Sequence, residues 1–154
     1  MAMPDTAPLH ESEEALVDAA RGVVRMARML EHASTELTLP QYRLLVMVAS
    51  GDQRMSQLAG RLALSKPTVT AVVDGLVERG LLVRTEVAAD RRAVDLTLTD
   101  AGRATLAQTD AAMAARLAGV LEHCDDASLT VEGLRQLSAA VTRVVAARQA
   151  AAGK

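Results

Sequence analysis

Apolar residues recur at three- and four-residue steps from Glu11 onward, with Leu16, Ala20, Val23, Ala27 and Leu30 on one stripe. That period predicts a helix of roughly 25 residues, ending near Glu36. Thr38-Leu-Pro40 signals a second start, with Thr38 as N-cap and Pro40 in the first turn. Leu44, Leu45 and Val48 give the second helix its buried side, and Ser50-Gly51-Asp52 stops it. A short third helix is expected around Met55–Leu62, and a fourth opens at Ser65-Lys66-Pro67 and runs to about Arg79. Val69, Val72, Val73, Leu76 and Val77 form its apolar side, and Gly80 suits the position just past its end. Beyond Gly80 the period falls to two. Leu82–Thr85 reads as a short strand, and Val94, Leu96 and Leu98 alternate with polar residues in a second. Residues 86–92 between them are expected to form a polar hairpin loop. A long helix capped by Thr99-Asp100 follows to about Glu122, then a break at residues 124–127 and a last helix from near Thr130. Residues 1–10, with Pro4 and Pro8, lack periodicity and are expected to be a loose arm.

Composition narrows the function classes. The 154 residues are 50% hydrophobic, enough for a core, yet only 1% aromatic: Tyr42 stands alone, without Phe or Trp. A binding surface of stacked aromatics is therefore excluded. The net charge of -2 excludes a uniformly basic nucleic-acid binder but not a local basic patch. The single cysteine, Cys124, allows no internal disulfide and no thiolate zinc cluster, so neither metal nor cofactor is expected. The first residues have no signal-like apolar segment, and no run of about 18 apolar residues suggests a membrane span. A cytoplasmic protein with no membrane partner is expected.

Residues 38–99 hold three helices and a two-stranded hairpin, the order of a winged helix-turn-helix. The turn at Ala63–Lys66 would set one helix across another, letting the second enter a DNA major groove by its N-terminus. There Ser65, Lys66, Pro67, Thr68, Thr70 and Ala71 are small or polar; such residues allow close backbone approach and offer hydroxyls to bases and phosphates. Residues 54–92 carry seven cationic side chains against four acidic ones, a net of +3, leaving -5 for the rest. A basic reader on an acidic body is the asymmetry expected of a DNA binder that avoids indiscriminate sticking.

Several segments resemble the MarR (multiple antibiotic resistance regulator) family of winged-helix transcription factors. They are Gln41-Tyr-Arg-Leu-Leu45, Ser56-Gln-Leu-Ala59, Ser65-Lys-Pro-Thr-Val-Thr70, Val73–Arg84, and Asp90-Arg-Arg-Ala93 followed by Leu96–Gly102. The resemblance covers roughly residues 12–147 and implies a mainly α fold with a small β-hairpin wing. It assigns residues 38–99 to DNA binding, residues 11–37 and 100–149 to helical dimerisation, and 150–154 to a tail. It further implies a homodimeric regulator, most often a repressor, on pseudo-palindromic double-stranded DNA. Ser65–Ala71 would lie in the major groove. Arg91 and Arg92, at the wing tip, would reach the minor groove or its phosphates, with Asp90 orienting them. Ala71 and Gly75 depart from the family pattern, which often has Arg at both positions. Lys66 and the wing would then carry more of the affinity.

The resemblance also suggests an effector pocket lined by the first, second and fifth helices, with Met26, Met29, His32, Tyr42, Arg43, Met47 and Met113 as candidates. Arg43 could attract a small aromatic or phenolic carboxylate; the methionines serve equally well as core filler. Cys124 sits among Glu122, Asp125 and Asp126, which disfavour its thiolate, so an inert thiol is expected. No nucleophile, phosphate-loop or dinucleotide motif is present, and an enzyme is not expected. The rival is a winged-helix protein-interaction module without DNA binding.

Overall fold

A computed structural model of the chain describes residues 12–33, 35–51, 55–87 and 90–152. The expected element order holds: α1 (Glu13–Glu31), α2 (Leu39–Ala49), α3 (Met55–Leu62), α4 (Lys66–Glu78), β1 (Leu82–Val87), β2 (Asp90–Leu98), α5 (Asp100–Leu121) and α6 (Ala127–Ala152). The loose arm expected at residues 1–10 lies outside the described residues. Among them the fold is mainly α with one antiparallel hairpin.

Local chemistry places the boundaries. Ser12, Ser65 and Thr99 cap α1, α4 and α5, each side-chain oxygen accepting a first-turn backbone N–H. The backbone N–H of Thr38 donates to Gln41 Oε1 at 2.9 Å, fixing the start of α2. Helices α3 and α4 end alike. Leu64 N–H reaches back to the Ala59 carbonyl and Ala63 N–H to that of Gly60; Leu81 and Gly80 repeat the pattern onto Leu76 and Val77. Both ends are Schellman motifs with a left-handed residue just past the helix. That residue is Gly80 (φ 70°) after α4 but Ala63 (φ 55°) after α3. The strain on Ala63 is offset by packing of Ala59 and Leu64 on the core.

Three boundaries differ from expectation. Helix α1 stops at Glu31 and not Glu36, because the His32 ring nitrogen Nδ1 meets the Arg28 carbonyl at 2.8 Å while Ala33 N–H closes onto Leu30. The polar stretch 86–92 is mostly strand, since a half-solvated ladder needs no apolar residues to continue. Glu86 pairs with Val94, and Val87 with Asp90 after a register shift. Helix α6 begins a turn early, at Ala127, where Asp126 Oδ1 accepts Leu129 N–H at 2.9 Å.

The core is a single cluster. Leu44 and Leu45 of α2, Leu58 and Leu62 of α3, Val69, Val73 and Leu76 of α4, and Leu82 and Leu96 of the hairpin are almost fully buried. Each contributes about 2 kcal/mol by leaving water. Helix α5 meets this head at its first turn and again at Leu106, which joins the core. Thr99 Oγ1 donates to the Gly80 carbonyl at 2.7 Å, and Arg103 Nη1 donates to the Leu98 carbonyl at 2.7 Å. Gly102 lies so close that a Cβ there would stand 2.0 Å from the Leu81 carbonyl oxygen. The apolar stripe of α1 is not buried as its periodicity predicts. Leu16 and Val23 keep nearly half their surface exposed, and no described residue of α1 or α6 is buried.

Candidate nucleic-acid interface

Helix α4 rests on the core through Val69, Val73 and Leu76. Its remaining face is therefore turned outward: Ser65, Lys66, Pro67, Thr68, Thr70 and Ala71 are all exposed. The structure thus brings these six sequence-selected residues together on one projecting helix end. Their hydroxyls have local partners. Ser65 Oγ lies 2.7 Å from Thr68 Oγ1 and accepts Thr68 N–H at 3.3 Å, while Thr70 Oγ1 donates to the Lys66 carbonyl at 3.0 Å. Each hydroxyl oxygen still has lone-pair capacity facing solvent. The first-turn N–H groups and helix dipole make this end attractive to an anion. Pro67, inside that turn, removes one N–H that would have had no helical partner.

Asp74, one helical turn further along α4, would oppose an approaching phosphate. Arg84 of β1 pairs with it, neutralising the carboxylate and bracing the wing against the recognition helix. Sequence reasoning misses this pair, because ten residues and a change of element separate its members. Two backbone carbonyls of the α1–α2 link are likewise held by distant arginines: Arg79 Nη2 donates to Glu36 at 2.9 Å, and Arg116 Nη2 to His32 at 3.4 Å. Asp90, Arg91 and Arg92 begin β2, as a wing requires, but their side chains lie outside the described residues. Ala71 is exposed on α4, and a Cβ on Gly75 would meet nothing within 4 Å.

The seven effector-pocket candidates are distributed over separate surroundings. Met26 and Met29 line an open apolar cavity of about 460 Å³, bounded by α1, the end of α5 and the start of α6, with Leu117, Leu134 and Cys124 on its walls. His32 borders another, of about 450 Å³, between α1 and Leu39. Tyr42 and Met113 enclose only about 10 Å³ with Leu30, Leu37 and Thr109, room for about one water molecule and for no effector. Met47 packs against the head core, and Arg43 is exposed on α2. The candidates divide because Met26 and Met29 face Leu117, Leu121 and Leu134, while Tyr42 and Met113 close on Leu37 and Leu39.

The Tyr42 hydroxyl is engaged: it donates to Asp110 Oδ1 of α5 at 2.8 Å. Burial, reinforced by that hydrogen bond and the carboxylate charge, pushes the phenol up to about 12. The Cys124 thiol, half buried, donates to the Val120 carbonyl at 3.8 Å. No group of metal-ligating side chains occurs among the described residues, and no helix there is long and apolar enough to cross a membrane.

Comparison with known proteins agrees with this geometry. Residues 35–93 match the model of the MarR family. The transcriptional repressor YetL of Bacillus subtilis is 29% identical over 107 residues, spanning 66% of this chain and 64% of that protein's length. The helix-turn-helix regulator YhbI of the same bacterium is 29% identical over 135 residues, covering 85% and 86% of the two chains. Among solved structures, the repressor CouR bound to a 23-mer DNA duplex superposes with a TM-score of 0.67 at 27% identity, covering 91% of this chain and 99% of that one. These relatives are transcriptional regulators, not enzymes.

Proposed function

Because this chain belongs to the MarR family of winged-helix transcriptional regulators, we propose that it is a homodimeric repressor reading pseudo-palindromic double-stranded DNA. The observation that carries the reading is the exposed N-terminal turn of α4, where Ser65, Lys66, Thr68 and Thr70 surround the positive end of the helix dipole. In this reading the turn enters the major groove, and Arg91 and Arg92 on the wing, oriented by Asp90, grip the flanking backbone or minor groove. With Ala71 and Gly75 in place of longer cations, Lys66 becomes the principal charge on the helix tip. Affinity then comes from phosphate neutralisation, and specificity from few base contacts per half-site.

Selection of bound sequences from random duplex DNA at two salt concentrations tests the proposal. An enriched inverted repeat, with half-sites about one helical turn apart and affinity falling with salt, is the expected result. Lys66→Ala should lower the salt slope by about one unit for each phosphate that Lys66 neutralises. Absence of any salt-dependent duplex shift would leave the winged helix as a protein-interaction module.

The second copy is supported by what α1 and α6 leave uncovered. Val24 and Leu129 are about 70% exposed, and Leu137, Val141, Val144 and Val145 form a half-exposed stripe along α6. A surface of this kind is stable in water when another apolar surface covers it. Sedimentation should give twice the chain mass, and Val141→Asp with Val144→Asp should return it to one chain with the head still folded. An apolar cavity with Arg25 at its lining and Met26 and Met29 in its wall suits a small aromatic carboxylate as effector. Benzoate-type acids should raise the unfolding temperature of the wild type, and Arg25→Ala should abolish that shift.

A further inference from the structure

We propose that the Tyr42–Asp110 hydrogen bond is a strap that sets the angle between the head and α5, making these two residues a positioning pair for DNA binding. The geometry begins at the other end of the joint. Thr99, Gly102 and Arg103 pin the first turn of α5 to Gly80, Leu81 and Leu98, all within one small region. These contacts act as a pivot, and Leu106, buried in the head core one turn on, presses α5 to the head through non-directional apolar contact that still leaves a rotation about the pivot. Asp110 lies eleven residues beyond Thr99, about 16 Å along the helix axis. A bond there has the leverage to remove that rotation.

Tyr42 is the residue through which the head makes this bond. Its ring packs against the head core, beside Leu30, Leu37, Thr109 and Met113, in a narrow space of only about 10 Å³. Its hydroxyl then emerges at Asp110, and this is the side-chain hydrogen bond that the described residues place between α2 and α5. The buried Thr109 beside Asp110 turns its own hydroxyl back to the Thr105 carbonyl at 2.9 Å, so it offers no competing partner. The arginine bonds to His32 and Glu36 hold the α1–α2 link from α5 on one side and from α4 on the other. Arg116–His32 joins α5 to the end of α1, and Arg79–Glu36 joins the head to the same link, so neither ties the head directly to α5 beyond the pivot. Tyr42–Asp110 is formed between two regular helices, where geometry is best fixed. Two heads on one rigid duplex bind at one spacing, so an angle loosened at each joint weakens two-headed binding and spares single-head contact.

The test uses the full chain with Cys124→Ser and spin labels at Ala49→Cys on the head and Ala118→Cys on α5. Labelled chain is diluted into a large excess of unlabelled chain, so the distance read is within one chain whether or not it dimerises. Wild type and Asp110→Asn, whose amide oxygen still accepts the hydroxyl, should give one narrow distribution. Tyr42→Phe, which keeps the ring, and Asp110→Ala should broaden or shift it. Superimposable distributions in all four, or an equal change in Asp110→Asn, overturn the strap. The same variants are titrated with the duplex selected by the wild type and with a scrambled duplex. A loss of roughly fivefold is expected for the selected duplex in Tyr42→Phe and Asp110→Ala, with scrambled duplex unaffected. Equal affinity despite an altered distance overturns the positioning role. The DNA part rests on the function proposed above: should the wild type select no duplex, that reading falls, and the intrachain distance still decides the strap.

Discussion

The head between Leu37 and Leu98 and the helices α1 and α6 draw on the same Leu, Val and Ala, yet they treat those side chains in opposite ways. In the head, three helices and a hairpin converge, and Leu44, Leu58, Val73, Leu76 and Leu96 reach zero exposure. In α6, which is also rich in valine and leucine, Leu137, Val141 and Val144 keep about half their surface, and only Thr130, Leu134 and Ala140 are even half buried among its described residues. Apolar periodicity therefore reports which face seeks burial, while burial itself needs a neighbour. The head supplies its own neighbours from several elements; a solitary helix at either end of the chain cannot. The head is a self-sufficient core, and the terminal helices leave their apolar stripes uncovered within the chain.

The sharpest way to break that contrast is at the joint between the regions. Gly102→Ala drives a methyl group to 2.0 Å from the Leu81 oxygen, so α5 and the head must part. Urea unfolding should show a loss of roughly 4 kcal/mol or more, beyond the cost of an ordinary surface change. Next in size comes a matched truncation in each region. Leu44→Ala, at a fully buried site, should cost about 3 kcal/mol. Val141→Ala should cost under about 0.5 kcal/mol at low protein concentration, with the loss growing as concentration rises and copies associate. Equal losses at the two sites would erase the distinction between head and terminal helices.

A smaller effect tests the recognition helix on its own. Ser65→Ala removes the oxygen that accepts Thr68 N–H and should cost about 1 kcal/mol in stability. Amide exchange should confine that loss to the first turn of α4. The smallest effect sits between the regions and depends on pH. Tyr42 is pushed from 10.0 up to about 12 in the fold, so folding favours the neutral phenol. The advantage of Tyr42 over Phe is therefore fully present below pH 10 and disappears as pH rises through about 12. Since Tyr42 is the only tyrosine and tryptophan is absent, its ultraviolet tyrosinate band reports the titration directly. The midpoint should lie near 12 in the wild type and move back toward 10 in Asp110→Ala.

Elements with strong punctuation were legible in the chain. The Ser65-Lys66-Pro67 start and Gly80 stop of α4, the Thr99 cap of α5, and the period-two run of Val94, Leu96 and Leu98 each follow from chemistry within a few residues, and all appear where expected. The exposed tip of α4 was legible for the same reason, since the residues left off its apolar face point outward. Arg84 with Asp74, Tyr42 with Asp110, and Arg79 with Glu36 were not. Each pair joins positions whose separation in sequence has no period, and each side chain alone resembles a solvated one.

What the sequence determined by itself is the succession of helices and strands and the face that each turns toward apolar company. Caps, stops and periodicity act over one or two turns, the range of a backbone hydrogen bond and its nearest side chains. What the tertiary structure decided is which of those faces found a partner within the chain, where α1 and the hairpin strands end, and how the seven residues around Met26 and Tyr42 divide among separate spaces. Those outcomes depend on the relative placement of whole elements. Closing a core that excludes water fixes that placement, and no local stretch of the chain carries the information alone.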